Sequence, residues 1–319
     1  MAAERPHVLT AARLWAPMME ALHGAFVVHE RTHQTDPADF ARIAPQVRAI
    51  AATGESRVDR DLIASLPALE LISVFGVGYD GIDVAAARER GVAVTHTPNV
   101  LNDEVADLAL GLLLAVARRI PQADRWVREG RWRREGPMPL ARRLSGGRLG
   151  IVGLGRIGQA IAKRAEAFGM SIAYTARSRK DAEGYAYFPS AEALAREVDF
   201  LVVITPGGAG TRKLIDARVL EALGPQGYLV NVARGSVVDE AALIEALREK
   251  RIAGAGLDVF EDEPNVPEAL TALDNVVLTP HVGSATWQTR RAMMDLAFGN
   301  LQAHFAGRPL LSPVPEMRT

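Results

Sequence analysis

The chain has 319 residues, enough for about two domains, and its 48% hydrophobic and 24% charged content is ordinary for a globular protein. Its 37 basic and 38 acidic side chains leave a net charge of −1, which gives no electrostatic basis for nucleic acid or an anionic membrane as a partner. There is no cysteine, so disulfides, thiolate zinc sites and a cysteine nucleophile are excluded.

Short apolar runs at 8–10, 26–28, 47–51, 71–75 and 92–95 are predicted strands, with helical segments such as 84–90 between them. That alternation predicts a parallel sheet with helices on both faces. His29-Glu30-Arg31-Thr32-His33 matches the H-E-x-x-H pattern of zinc peptidases, which needs both histidines on one face of a helix. Here a predicted strand runs into the segment and Asp36-Pro37 follows, so it reads as a strand-to-helix loop and no metal site is predicted. The N-terminus lacks a basic segment followed by an apolar one, and the longest apolar stretch, 108–117, is too short for a bilayer. No secretory signal and a cytoplasmic location are therefore expected.

Asn102 is a suitable N-cap for a long helix over 105–119, stopped near Pro121. An arginine-rich arm follows through Arg143 and reads as a solvated or subunit-facing surface. A second series of strands is predicted at 149–152, 171–175, 200–204, 228–232, 254–259 and 276–279, then a last helix over about 285–305. The fold class is α/β, with two doubly wound parallel-sheet domains. The second, 100–284, is inserted into a discontinuous first domain, 1–99 and 285–319, and a helix and arm occupy 102–146.

The strand predicted at 149–152 runs into Val152-Gly153-Leu154-Gly155-Arg156-Ile157-Gly158 and then a helical pattern. A strand, G-x-G-x-x-G and a helix form the dinucleotide fingerprint in its required context. Gly153 permits the tight turn, Gly155 lets backbone approach a pyrophosphate, and Gly158 lets the helix pack on the strand. NAD sites carry an acid at the end of the next strand. Here that strand runs into Arg177-Ser178-Arg179-Lys180, and no acid appears before Asp181. Arg177, Ser178 and Arg179 can bind a 2′-phosphate through charge-assisted hydrogen bonds, so NADPH is predicted over NADH.

Three polar features stand near the ends of later strands, where α/β sheets place ligands: Arg234-Gly235, Asp258 and His281. Reduction of a ketone by hydride leaves an oxygen that needs a proton, which histidine can donate near neutral pH. A neighbouring carboxylate would favour the imidazolium, and an arginine can clamp a substrate carboxylate.

Asn231-Val232-Ala233-Arg234-Gly235, the run Gly256-Leu257-Asp258-Val259-Phe260-Glu261-Asp262-Glu263-Pro264, and Thr279-Pro280-His281-Val282-Gly283-Ser284-Ala285-Thr286 together resemble the D-2-hydroxyacid dehydrogenase family. The likeness extends to Phe75-Gly76-Val77-Gly78-Tyr79-Asp80-Gly81-Ile82-Asp83 and Thr97-Pro98-Asn99-Val100-Leu101, and so covers nearly the whole chain. Within the family the chain most resembles the NADPH-dependent glyoxylate/hydroxypyruvate reductases and the plant hydroxyphenylpyruvate reductases.

The resemblance implies a Rossmann cofactor domain inserted into a flavodoxin-like substrate domain. It implies that Arg234 binds the 2-keto acid, Glu263 pairs with His281, and His281 donates the proton. Val77 and Gly78 would grip the substrate carboxylate through backbone N–H groups, with Ser284 within reach. Arg156 and Ile157 would line the pyrophosphate, Asp258 would hold the nicotinamide carboxamide, and Thr205 would border the cofactor. After Thr205-Pro206 the chain departs from the family with Gly207-Gly208-Ala209-Gly210-Thr211, where more flexibility is expected. A homodimer through the helix and arm is implied, with Trp132, Met138 and Leu140 near the partner's substrate pocket. The activity implied is reduction of a small 2-keto acid, glyoxylate or hydroxypyruvate, to the D-2-hydroxy acid. The alternatives are an arylpyruvate reductase and a non-catalytic nucleotide-sensing protein. The intact Arg234, Glu263 and His281 argue against the last.

Overall fold

A computed structural model describes residues 5–317. The chain divides into two compact units, one of Met1–Leu101 with Thr286–Thr319 and one of Asn102–Ala285.

In the first unit the strands are β1 (His7–Thr10), β2 (Val27–Glu30), β3 (Val47–Thr53), β4 (Leu71–Phe75) and β5 (Ala93–Thr95). They pair in parallel in the order β2-β1-β3-β4-β5, the flavodoxin-like order. β4, Leu-Ile-Ser-Val-Phe, is buried along its whole length, as a central parallel strand covered on both faces must be. The last helix, Trp287–Phe305, belongs to this unit and lies along β4, where the Ser73 hydroxyl donates to the Ala297 carbonyl at 2.9 Å. Thr286 caps it by accepting from the Thr289 N–H, so it starts two residues after the predicted position.

The second unit contains β6 (Arg148–Val152), β7 (Ser171–Thr175), β8 (Ala186–Tyr187), β9 (Phe200–Val203), β10 (Tyr228–Asn231), β11 (Gly254–Leu257) and β12 (Val276–Leu278). Their order is β12-β11-β10-β9-β6-β7-β8, all parallel. Counted from β6 this is the Rossmann order 3-2-1-4-5-6 with a seventh strand added. The order reverses between β6 and β9, which is where such sheets open a crevice for a ligand. Glycines in β11 bring helix Asn102–Ala117 close to the sheet, since a Cβ at Gly256 would stand 3.0 Å from Leu112 Cβ.

Two features are not anticipated by the sequence. Strand β8 is absent from the sequence reading because it has only two residues and is defined by its pairing with β7. The arm holds helices Ile120–Arg128 and Arg131–Glu135, with the Arg131 guanidinium 3.7 Å from the centre of the Trp126 ring. Among the described residues no helix is long and apolar enough to cross a membrane.

Candidate active site

Because every strand of the second unit points the same way, their C-terminal ends share one edge of the sheet. The fingerprint follows β6, Arg177 to Arg179 follow β7, Thr205 follows β9, Arg234 follows β10, Asp258 follows β11 and His281 follows β12. Residues scattered over about 130 positions are therefore carried on six of the sheet's strands.

At the fingerprint, Gly153 has φ +108°, and a Cβ there would stand 2.7 Å from the Ile204 carbonyl oxygen. A Cβ at Gly158 would overlap the Gly153 carbonyl. Gly155 is different: nothing lies within 4 Å of a Cβ built on it, and it is the N-cap of helix Arg156–Glu166. No side chain caps that helix start. Open space, backbone stripped of side chain and uncapped N–H groups together fit a dinucleotide pyrophosphate. Arg156 is exposed and Ile157 partly buried at the same end.

The chemistry-bearing residues meet in the loops after β10, β11 and β12. His281 Nδ1 lies 2.7 Å from Glu263 Oε2, while the other carboxylate oxygen accepts the Phe260 N–H at 3.0 Å. Burial pushes the Glu263 pKa up, but the hydrogen bond with His281, its charge, the Phe260 N–H and the Arg234 charge together hold it below its ordinary value. Glu263 is thus kept as a carboxylate facing the imidazole. Arg234 is held by its backbone, since the Asn231 side-chain amide donates to the Arg234 carbonyl at 3.0 Å and its oxygen accepts the Ala233 N–H at 3.0 Å. Gly235 must be glycine here, because any Cβ would overlap the Phe260 carbonyl.

Asp258 is only 2% exposed, and its carboxylate is engaged within the protein. One oxygen accepts from the Thr279 hydroxyl at 2.7 Å and the Val282 N–H at 2.8 Å; the other accepts from the Gly283 N–H at 2.8 Å. His281 between them has φ +53°, the left-handed region that costs an L-residue about 1–2 kcal/mol. The role visible for Asp258 is therefore to fix the turn that aims His281, a role its position in the sequence does not reveal. Asn231 was missed in the same way. Its only signal was a polar residue at the buried end of a strand, three residues before an arginine.

An apolar cavity of about 280 Å³ adjoins the pair, lined by Phe260, Pro264, Val266, Leu278 and Pro280 besides Glu263 and His281. Ser284 follows the turn and is partly buried. The loop after Thr205 closes on itself, with the Thr211 hydroxyl donating to the Pro206 carbonyl at 2.7 Å. In the other unit, Val77 and Gly78 follow β4, and the Val77 carbonyl accepts from His96 Nδ1 at 2.9 Å. The H-E-x-x-H segment divides, with His29 and Glu30 ending β2, Arg31 at φ +52° and His33 in helix Thr32–Thr35. Its histidines do not share a helix; His29 Nε2 instead lies 3.0 Å from His7 Nδ1.

A Rossmann sheet carrying a pyrophosphate cradle, with a histidine–carboxylate pair and an arginine on the same edge, defines a nicotinamide-dependent oxidoreductase. Residues 110–283 match the D-isomer specific 2-hydroxyacid dehydrogenase, NAD binding domain. The chain is 52% identical over 283 residues to the hydroxyphenylpyruvate reductase of Plectranthus scutellarioides, covering 88% of this chain and 90% of that one. It is also 52% identical over 268 residues to glyoxylate/hydroxypyruvate reductase A HPR2 of Arabidopsis thaliana, covering 84% and 85%. The crystal structure of an NADPH-dependent glyoxylate/hydroxypyruvate reductase of Sinorhizobium meliloti, in complex with NADP and malonate, superposes with a TM-score of 0.91 at 49% identity over 98% of both chains. The chain belongs to the D-isomer specific 2-hydroxyacid dehydrogenases and is an NAD(P)-dependent oxidoreductase.

Proposed function

We propose that the protein reduces the small 2-keto acids glyoxylate and hydroxypyruvate with NADPH to the corresponding 2-hydroxy acids, the D-isomer where the new centre is chiral, as with hydroxypyruvate. The observation that carries this reading is the 2.7 Å contact of His281 with Glu263 on a sheet edge that also bears Arg234 and the fingerprint. A reduced nicotinamide, when bound, supplies the hydride. The protein's own residues do the rest. Arg234 and the backbone N–H groups of Val77 and Gly78 hold the substrate carboxylate, with Ser284 within reach. As the carbonyl oxygen gains charge it takes a proton from His281 Nε2, while Glu263 favours the imidazolium and orients the ring. Gly153, Gly155, Arg156, Ile157 and Gly158 hold the pyrophosphate, Thr205 borders the cofactor, and Asp258 contributes to the carboxamide site.

The preference for NADPH rests on Arg177, Ser178 and Arg179, exposed beyond β7 with no acid before Asp181. A 2′-phosphate gains charge-assisted hydrogen bonds from such a loop, and an acid there would repel it. The Sinorhizobium meliloti relative was solved with NADP bound. The protein acts as a cytoplasmic homodimer in this reading. Ile120, Val127, Trp132 and Leu140 of the arm are exposed apolar side chains that a second copy would cover.

The test is loss of reduced-nicotinamide absorbance, with NADPH and NADH each offered with glyoxylate, hydroxypyruvate and hydroxyphenylpyruvate. Fast NADPH oxidation with the first two substrates is expected. The 52% identity to a hydroxyphenylpyruvate reductase favours an arylpyruvate as the second reading, and a higher kcat/KM for that substrate would select it. Faster turnover with NADH would overturn the cofactor assignment. Cofactor binding without turnover of any 2-keto acid would overturn the reductase.

A further inference from the structure

Tyr174 is among the largest fully buried side chains, 1% exposed, and sits next to the end of β7. Its phenol reaches past the strand to a single residue of the following loop. It accepts the Lys180 N–H at 2.8 Å and donates to the Lys180 carbonyl at 3.0 Å. Its backbone carbonyl accepts the Phe188 N–H at 2.8 Å, and its ring lies 5.4 Å from that of Tyr187, its register partner in β8. One side chain, anchored in the core, therefore ties off the short segment 175–179, which is exposed from Arg177 onward. That segment carries Arg177, Ser178 and Arg179.

A phenylalanine would fill the same core space, so packing does not require the hydroxyl. A buried hydroxyl is unfavourable unless bonded, and both bonds here go to the backbone that closes the loop. An untethered loop must be ordered when a ligand binds, and that lost entropy is subtracted from affinity. A tethered one is ordered beforehand. Only a ligand that touches the loop gains from this, and among nicotinamide cofactors the distinguishing contact is the 2′-phosphate of NADPH.

We propose that Tyr174 is a positioning residue that sets the 177–179 loop for the adenosine 2′-phosphate, and so determines the preference for NADPH over NADH. The inference rests on the NADPH reading above. It acts through the loop's arginines and requires no contact of Tyr174 with the cofactor.

The experiment is titration of wild type, Tyr174→Phe, the double variant Arg177→Ala/Arg179→Ala and the triple variant with NADPH and with NADH, reading Kd from protein fluorescence. Tyr174→Phe is expected to raise the NADPH Kd about tenfold, the scale of one or two net hydrogen bonds, and to leave the NADH Kd within about twofold. Added to the double variant it should change neither, because the arginines through which it acts are gone. Lys180→Pro, at an exposed position, removes one of the two bonds without touching the core and should reproduce the selective loss in smaller measure. Equal weakening of both cofactors would make Tyr174 merely structural and overturn the proposal. So would an unchanged cofactor ratio in Tyr174→Phe and Lys180→Pro when the wild type prefers NADPH. A wild type that binds both cofactors equally overturns the NADPH reading itself, and the inference falls with it.

Discussion

The turn after β12 and the loop after β7 use the same device with different strengths. In each, a buried side chain near a strand end hydrogen-bonds a loop and thereby aims functional groups. Asp258 grips the first through three charge-assisted hydrogen bonds, each worth about 1.5–3 kcal/mol, and keeps His281 in a left-handed conformation. Tyr174 grips the second through two neutral bonds, and the arginines it serves stand in solvent. The group that moves a proton is locked by the buried Asp258, whereas the groups that choose between cofactors sit on a weaker tether at the surface. Chemistry is thus rigidly specified, and cofactor choice can change without disturbing it.

The most severe break is His281→Ala. Turnover should fall by about 10²–10⁴, the usual contribution of a general acid, while the NADPH Kd stays put, measured by steady-state kinetics beside a cofactor titration. Next comes Asp258→Asn, which turns an amide NH₂ toward backbone donors. A loss of about 3 kcal/mol is expected, read as a lower unfolding midpoint in a thermal melt together with reduced turnover as the turn relaxes. An unchanged melt would mean that the Asp258 grip does not hold the turn.

Glu263→Gln keeps the shape of the pair and removes its charge, and turnover should drop by about 10². Glu263 also sets an acid limit. The folded protein binds this proton less readily than the unfolded chain, whose carboxyl has the ordinary value of 4.5. Its stabilising contribution is therefore complete above that value and is lost as pH falls through the depressed one. A pH series of thermal melts should show this acid loss in the wild type and a shallower one in Glu263→Gln.

The smallest effect belongs to the exposed loop. Arg177→Ala should raise the NADPH Kd about tenfold, spare NADH and leave the melt unchanged, since solvated charges add little to stability. A large fall in stability would erase the contrast between the two loops.

Much of this could be read from the sequence because it lies in local patterns. Alternating apolar runs marked the strands, the three glycines marked the turn after β6, and residue types at strand ends marked Arg234, Asp258 and His281. What could not be read depends on partners distant along the chain. Asp258 finds its donors 21 to 25 residues away, and nothing in its neighbours reveals that its carboxylate would bond Thr279, Val282 and Gly283. Strand β8 is two residues long and exists only through its pairing with β7. Nothing in the sequence singles out Tyr174, since a phenol's partner is set by where the loop returns. The helix at Asn102–Ala117 begins three residues before its predicted start, because Asn102 enters the helix rather than preceding it.

The central claim is that His281, held by Glu263, supplies the proton to a 2-keto acid. It is tested most directly by comparing kcat for hydroxypyruvate reduction between wild type and His281→Ala, both saturated with NADPH and substrate, with the cofactor Kd of each protein measured alongside. The account predicts a fall in kcat of at least about a hundredfold at equal cofactor affinity. Equal kcat in the two proteins would contradict it.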